Sequence, residues 1–351
     1  MTFLLKAEVG PRIGIGHLKR VEAIHSSLLK RGMDSYIACN SFESAALENK
    51  QFHIDSNTYD SYESEINELK KIIDHVVIDL SHQNNFLFPI NISHYCKHLI
   101  NLNINYSVID GLGNDRLTNI IDFPYCVNYF LPYIGSDLVD LSHRSFKNIY
   151  TGPSFSPLNT SINNKNINKS NNDLPKNILI TCGGSDPDCI TEKILDLLNK
   201  GVIDIDNLEI KVIIGPFYNT NSISNLYSLF SRSNVEFIRG KTSISEEYLW
   251  ADLVLTSPGT TRYECLSLNV PFIYFSNGIS ESYEPLVTFN SVLIYSYGGD
   301  FLFETVNLNS FFDFFLLEEK FSLLLLSCKN IIDLKGSDRI SEALIKSSII
   351  Y

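Results

Sequence analysis

The chain has 351 residues, a net charge of −12, and 44% hydrophobic against 19% charged residues. This composition is that of a globular protein, and the length exceeds one ordinary α/β domain and fits two. The acidic balance argues against non-specific binding of nucleic acid, which depends on clustered Lys and Arg. It leaves room for a phosphate site, because such sites use backbone N–H groups.

The first part of the chain alternates apolar runs with a helical pattern. Runs typical of buried strands lie at residues 2–10, 34–40, 75–80 and 104–110. Apolar positions at helical spacing fill residues 17–32, which end in Lys-Arg-Gly, a helix stop. Strands that alternate with helices predict parallel βαβ units.

The composition changes at Thr160. Residues 160–173 are almost wholly Asn, Lys, Ser and Thr, which predicts a polar linker. The pattern then restarts, with predicted strands in residues 176–181, 208–216, 235–240, 251–259 and 270–278, helices at 189–201 and 262–269, and a Phe- and Leu-rich helical tail from Asn309. We therefore expect an N-terminal Rossmann-like domain at 1–159 and a C-terminal one, with the tail helices, at 174–351.

Two such halves predict an α/β fold in which two Rossmann-like domains face each other across a cleft. Ligands of these sheets lie outside the carboxyl ends of the strands, so the cleft is the expected binding place. The seven cysteines lack CxxC spacing, and no apolar run is long enough to span a bilayer. We therefore expect reduced thiols in a cytoplasmic protein without a signal peptide or transmembrane segment.

The first candidate motif follows the first strand. Gly14 and Gly16 let the backbone approach a ligand, and a helix is expected to begin near His17. Arg20, one turn further on, is expected to bind substrate or to stabilise this helix. A histidine held neutral at a helix start can accept a proton from water or a sugar hydroxyl. A tight turn with a surface histidine is the alternative. A dinucleotide fingerprint is disfavoured, because its third glycine is missing and the next strand ends in Asn40.

The second motif opens the second half. Gly183, Gly184 and Ser185 follow a buried strand and precede a helix, a shape that suits a diphosphate close to backbone N–H groups. Asp186 and Asp188 form an Asp-x-Asp pattern that holds a metal in some enzymes. At a helix start, capping is the favoured interpretation of these acids.

The third motif follows another strand. Ser257, Gly259, Thr260 and Thr261 lead into a helix that carries Glu264. One interpretation is a capping box, with Thr261 as cap and Glu264 three residues later. The other places a diphosphate on the helix N–H groups and lets Glu264 bind ribose hydroxyls. All eight histidines lie at or before His143, with no zinc spacing, P-loop or GxSxG motif, so no metal or cofactor is expected.

Together the segments at residues 14–20, 182–187 and 257–271 resemble the pseudaminic-acid pathway UDP-sugar hydrolases, which are similar to GT-B glycosyltransferases. The resemblance extends to about residue 280. It implies a GT-B fold and hydrolysis of a UDP-linked deoxy-amino sugar in nonulosonic-acid or surface-glycan biosynthesis, without a metal. It implies that His17 activates the water and that the N-terminal domain holds the sugar.

The resemblance also assigns the UDP site to the C-terminal domain. Gly183, Gly184, Gly259 and Thr260 would lie near the diphosphate, and Glu264 would bind the ribose. The loop at residues 241–245 would frame the uracil.

The chain departs from that family at positions near the expected sugar. Ser81 stands where the family has a Tyr two residues after the acid, here Asp79. Gly278 stands where the family has the second residue of an Asn-Gln pair, and residues 152–159 lack the family's Arg. The departures fit a changed sugar or acceptor. They keep open a GT-B glycosyltransferase with a glycan or lipid acceptor, and a non-enzymatic nucleotide-sugar binder.

Overall fold

The computed structural model divides the chain into two compact units. Unit 1 comprises Met1–Thr160 with Asp333–Tyr351, and unit 2 comprises Ser161–Ile332. The predicted linker at 160–173, Ser81, Pro258 and Gly278 lie outside the residues that the structure describes. Those described residues are 1–11, 13–40, 52–80, 92–109, 125–134, 136, 146–159, 174–200, 204–241, 243–257, 259–275, 296–297, 315–328 and 331–350.

Unit 1 is built on a parallel sheet with the strand order β3-β2-β1-β4-β5-β6-β7. Its strands are β1 Thr2–Ala7, β2 Asp34–Cys39, β3 His53–Asp55, β4 His75–Asp79, β5 Asn105–Ile109, β6 Cys126–Leu131 and β7 Asn148–Thr151. Its helices within the described ranges before the linker are α1 Gly16–Lys30, α2 Tyr62–Leu69 and α3 Ile92–Asn101. Every residue of β4 and β6 is buried, as expected for central strands of a parallel sheet covered on both faces.

Unit 2 repeats this plan with the order β10-β9-β8-β11-β12-β13, again parallel. Its strands are β8 Asn177–Thr181, β9 Glu209–Ile214, β10 Val235–Arg239, β11 Leu253–Thr256, β12 Phe272–Phe275 and β13 Ser296–Tyr297. Its described helices are α4 Ile190–Lys200, α5 Thr220–Leu229, α6 Ser245–Trp250, α7 Thr260–Leu268 and α8 Glu318–Ser327. Ile, Leu and Val from β8, β9 and β11 pack against α4 and α5 to form its core.

Four short or interrupted strands escaped the sequence prediction, namely β3, β6, β7 and β13. In β6 the apolar run is broken by Asn128, which is fully buried. Its amide nitrogen donates to Ser107 Oγ at 3.0 Å and to Ser347 Oγ at 2.9 Å. These partners satisfy the buried amide, so a polar residue is tolerated in a central strand.

The final helix corrects the expected domain division. Helix α9, Gly336–Ile350, belongs to unit 1, although the sequence analysis assigned the whole tail to the second domain. Asp338 accepts hydrogen bonds from Ser27 on α1 at 2.7 Å and from Arg31, the residue that caps the end of α1, at 2.9 Å. A Cβ atom on Gly336 would lie 1.9 Å from the Ser156 carbonyl oxygen, so only glycine fits this contact. The position of this helix at the end of the sequence therefore led to its assignment to the wrong domain.

Each sheet reverses its strand order beside its first strand. In unit 1 the first strand β1 lies between β2 and β4, and in unit 2 the first strand β8 lies between β9 and β11. The carboxyl ends of β1 and β4, and of β8 and β11, are therefore the switch points at which ligands of such sheets bind. The three sequence motifs follow β1, β8 and β11.

Candidate functional site

The loop after β1 turns back sharply before α1 begins. Gly10 and Gly14 exchange backbone hydrogen bonds of 3.2 and 2.7 Å, and Gly14 has a φ of 72° that residues with side chains rarely adopt. Helix α1 starts at Gly16, which makes His17 its second residue. No acidic residue lies in the first turn of the helix itself.

His17 is held by an aspartate from the neighbouring strand. Asp79, the last residue of β4, is fully buried, and its Oδ1 lies 2.7 Å from His17 Nδ1. Arg20 contacts both oxygens of the same carboxylate, with Nε 2.7 Å from Oδ2 and a terminal nitrogen 2.5 Å from Oδ1. The switch point of unit 1 therefore carries a His–Asp–Arg cluster.

The charge of Asp79 favours one tautomer of the histidine. Burial alone would raise the pKa of the Asp79 carboxyl, but Arg20 and His17 outweigh it and lower that pKa to about 2. His17 Nδ1 lies 2.7 Å from the carboxylate, which only accepts hydrogen bonds, and 2.9 Å from a terminal nitrogen of Arg20, which only donates. We assign the proton to Nδ1 because the contact with the carboxylate is the shorter of the two and is charge-assisted. The basic lone pair of the neutral ring then lies on Nε2. His17 keeps 19% of its side chain exposed, so this arrangement suits a general base.

Sequence reasoning missed the role of Asp79 and gave Arg20 a different one. Asp79 served only to mark the position of an absent Tyr, although an acid that ends a strand is a signal for such a site. It lies 62 residues from His17, and only the β1–β4 pairing brings the two together. Arg20 was expected to bind substrate, whereas the structure places its guanidinium on Asp79.

The glycine turn after β8 is packed against its own sheet. Gly183 has a φ of 77°, and the Gly184 carbonyl accepts a hydrogen bond from Phe217 N at 2.8 Å. A Cβ atom on Gly215, just after β9, would lie 2.5 Å from the carbonyl oxygens of both turn glycines. Ser185 is 7% exposed. The backbone of this turn therefore packs closely against Gly215, independently of any ligand.

Asp186 caps α4, as the favoured interpretation predicted. Its Oδ1 accepts from Ile190 N at 2.8 Å and its Oδ2 from Thr191 N at 2.9 Å. Burial raises the pKa of this carboxyl. Both oxygens are thus engaged by the helix start, which argues against a metal role for the Asp186–Asp188 pair. Across the residues with described positions, no group of three or more His, Cys, Asp or Glu is arranged to hold a metal.

The turn after β11 has a different chemistry. Its N-cap residue is Gly259, which has no side chain to cap α7 and has a φ of 153°. No acidic residue lies in the first turn, which begins at Thr260. Thr256 Oγ1 donates to the Thr181 carbonyl at 2.6 Å, so the ends of β11 and β8 are tied together beside Ser257.

The predicted capping box is wrong. Thr261 lies inside α7 and is buried, whereas Gly259 is the cap. Glu264 instead accepts a hydrogen bond of 2.6 Å from the hydroxyl of Tyr248 on α6. In the loop expected to frame a base, Lys241 pairs with Glu247, and Ser243 Oγ lies 2.9 Å from Ser245 Oγ.

No model of a known protein family matches the chain. An uncharacterized protein of Methanocaldococcus jannaschii, MJ1062, is 28% identical over 277 residues, which cover 74% of this chain and 52% of the relative. The chain thus spans about half the length of the curated relative that it matches.

Solved structures match over nearly the whole chain. MurG of Acinetobacter baumannii has a TM-score of 0.66 at 13% identity, covering 99% of this chain and all of its own. The S. aureus MnaA–UDP complex has a TM-score of 0.66 at 11% identity, with coverage of 100% and 98%. UDP-GlcNAc 2-epimerase of Neisseria meningitidis, bound to UDP-GlcNAc, has a TM-score of 0.56 at 18% identity, with coverage of 99% and 100%.

These likenesses identify the architecture. The chain has the α/β GT-B fold, so the predicted fold class is confirmed. Within the portion of the chain that the structure describes, no helix is long and apolar enough to cross a membrane.

Proposed function

We propose that the chain is a hydrolase of a UDP-linked deoxy-amino sugar and that His17 is its general base. The observation that carries the proposal is the His17–Asp79 pair at the switch point of unit 1. A fixed Nδ1–H and a basic Nε2 are what the removal of a proton from water requires. Two of the solved structures that share the fold are described as complexes with UDP or UDP-GlcNAc.

The proposed step forms one bond to the anomeric carbon, breaks another and moves one proton. A water oxygen bonds to the anomeric carbon, and its proton passes to His17 Nε2. The bond from that carbon to the phosphate oxygen breaks, and UDP leaves with the bonding electron pair. Arg20 serves in this proposal by holding Asp79 ionised, since it contacts both carboxylate oxygens. No metal or cofactor takes part.

Unit 2 is proposed to bind UDP, chiefly at the start of α7. Gly259, Thr260 and Ser257 form a turn without an acid, and backbone N–H groups with a positive dipole end suit a diphosphate. Asp186 already places a carboxylate on the start of α4, so that helix start is the poorer anion site. In the proposal, the turn at residues 183–185 forms one wall of the site.

The deciding experiment is turnover of a panel of UDP-linked amino sugars, with and without acceptors, with products identified by mass spectrometry. Free sugar and UDP formed without an acceptor would establish the hydrolase. UDP released only with a glycan or lipid acceptor would establish the glycosyltransferase, which uses the same donor site and base. A UDP-sugar recovered with changed stereochemistry would establish an epimerase, the activity named for one structure that shares the fold.

The role of His17 is tested by His17→Ala. We expect kcat to fall about 10²- to 10⁴-fold, the usual contribution of a general base, with the Kd for UDP unchanged. His94→Ala is the matched control, because His94 is an exposed histidine of α3 in the same unit. Full turnover by His17→Ala would exclude His17 as the base.

A further inference from the structure

A buried tyrosine contacts Glu264, the carboxylate that the resemblance assigns to the ribose. Tyr248, on α6, is 1% exposed, and its hydroxyl donates to Glu264 Oε2 at 2.6 Å. Glu264 is partly exposed on α7. The hydrogen bond therefore joins a buried hydroxyl to a partly exposed carboxylate.

The direction of this hydrogen bond is fixed. Burial and the charge of Glu264 raise the pKa of Tyr248 well above its ordinary value, so the hydroxyl keeps its proton. The tyrosine oxygen has one proton, and it donates that proton to Glu264.

Helix α6 is itself anchored, so the hydroxyl of Tyr248 is a fixed point. Asn177, at the start of β8, donates its side-chain amide to the Trp250 carbonyl at 3.2 Å. The Lys211 ammonium lies 4.3 Å from the centre of the Trp250 ring, within cation–π range. Lys241 pairs with the buried carboxylate of Glu247, the neighbour of Tyr248.

We propose that Tyr248 is a positioning residue that holds the Glu264 carboxylate for the vicinal hydroxyls of a ribose, and so sets preference for ribonucleotides over deoxyribonucleotides. This inference rests on the proposed function. A carboxylate has about four lone-pair positions, so it can accept from Tyr248 and from hydroxyls of a ligand at the same time. A carboxylate fixed before binding loses less side-chain entropy when the nucleotide arrives.

The test is Tyr248→Phe, which removes the hydroxyl and keeps the ring. The Kd values for UDP and 2′-deoxy-UDP are measured by calorimetry. We expect the variant to bind UDP about three- to tenfold more weakly, the cost of immobilising one side chain. Deoxy-UDP lacks the 2′-hydroxyl and should lose less, so the ratio of the two Kd values moves toward one.

Tyr218→Phe is the matched control. Tyr218 is a buried tyrosine of unit 2 whose hydroxyl lies 3.0 Å from Thr191 Oγ1. This variant should keep the wild-type ratio at a similar loss of thermal stability. A second test adds Tyr248→Phe to Glu264→Ala, where we expect no further change in the ratio, because the group that Tyr248 positions is gone.

The outcomes separate the two proposals. Wild-type protein that binds neither nucleotide would overturn the proposed UDP site and this inference with it. Wild-type protein that prefers UDP, beside a Tyr248→Phe variant with the same preference, would overturn the inference alone. An equal change in the ratio in Tyr218→Phe would also overturn it, because the effect would then be a general response of unit 2 to a lost hydroxyl.

Discussion

The switch points of the two sheets share one topology and carry opposite chemistry. In unit 1 the ends of β1 and β4 bring together His17, Arg20 and Asp79, three side chains that can ionise. In unit 2 the turn after β11 begins α7 with a glycine and no acid in the first turn. The same strand order thus carries a cluster of ionisable side chains in one unit and a helix start without an acid in the other, which indicates that fold alone does not assign chemistry.

The largest expected effect is a loss of turnover caused by a substitution in unit 1, and it would sharpen the contrast between the two units. Asp79→Asn removes the charge that favours one His17 tautomer, so we expect kcat to fall about 10²- to 10⁴-fold, as for loss of general-base catalysis, while the Kd for UDP stays unchanged. Single-turnover rates and calorimetry give the two quantities.

Asp338→Asn is the control for that variant, because Asp338 is another aspartate of unit 1 that pairs with an arginine, 2.9 Å from Arg31. It should cost stability without altering turnover. If Asp79→Asn weakened UDP binding as much as turnover, the division of labour between the units would be wrong.

A smaller effect is expected from unit 2. Gly259→Ala places a side chain at a φ of 153°, where strain costs about 1 to 3 kcal/mol, so the turn should shift its N–H groups. We expect the Kd for UDP to rise roughly tenfold, equivalent to about 1.4 kcal/mol. Isothermal calorimetry measures it.

Gly32→Ala is the control, at a φ of 73° in the turn after α1 of unit 1. It should lower the melting temperature and leave UDP affinity as it is. Unchanged UDP affinity in Gly259→Ala would mean that the start of α7 is not the diphosphate site.

The smallest effect is expected at α4, the helix that Asp186 caps. Asp186→Asn weakens one of two capping hydrogen bonds, so we expect about 0.5 to 2 kcal/mol less stability in denaturant unfolding. The Kd for UDP should change less than about twofold, since the proposed diphosphate site lies at α7 and not at α4. A markedly tighter or weaker UDP complex would instead assign the diphosphate to the start of α4.

The fold was largely predictable because its signals are local. Apolar runs gave β1, β4, β8 and β11, the strands at the switch points of the two sheets. Strands such as β6 were missed because a buried amide, Asn128, breaks the pattern and is satisfied only by distant partners.

The site was only partly predictable. His17 stands in a recognisable turn, but its partner Asp79 is set by the pairing of β1 with β4, which no local pattern contains. Glu264 fitted a capping box by spacing, yet its partner is Tyr248, 16 residues earlier. The partners of His17 and Glu264 are therefore set by contacts between helices and strands, which the sequence motifs do not contain.

Helix α9 gives the chain an unusual order of completion. Unit 1 needs residues 333–351, whereas unit 2 is one continuous stretch. The ribosome finishes all of unit 2 before it makes the segment that packs on α1. Unit 1, which bears His17, is thus completed only after unit 2, so a translation product interrupted between residues 332 and 350 would contain a whole unit 2 beside an incomplete unit 1.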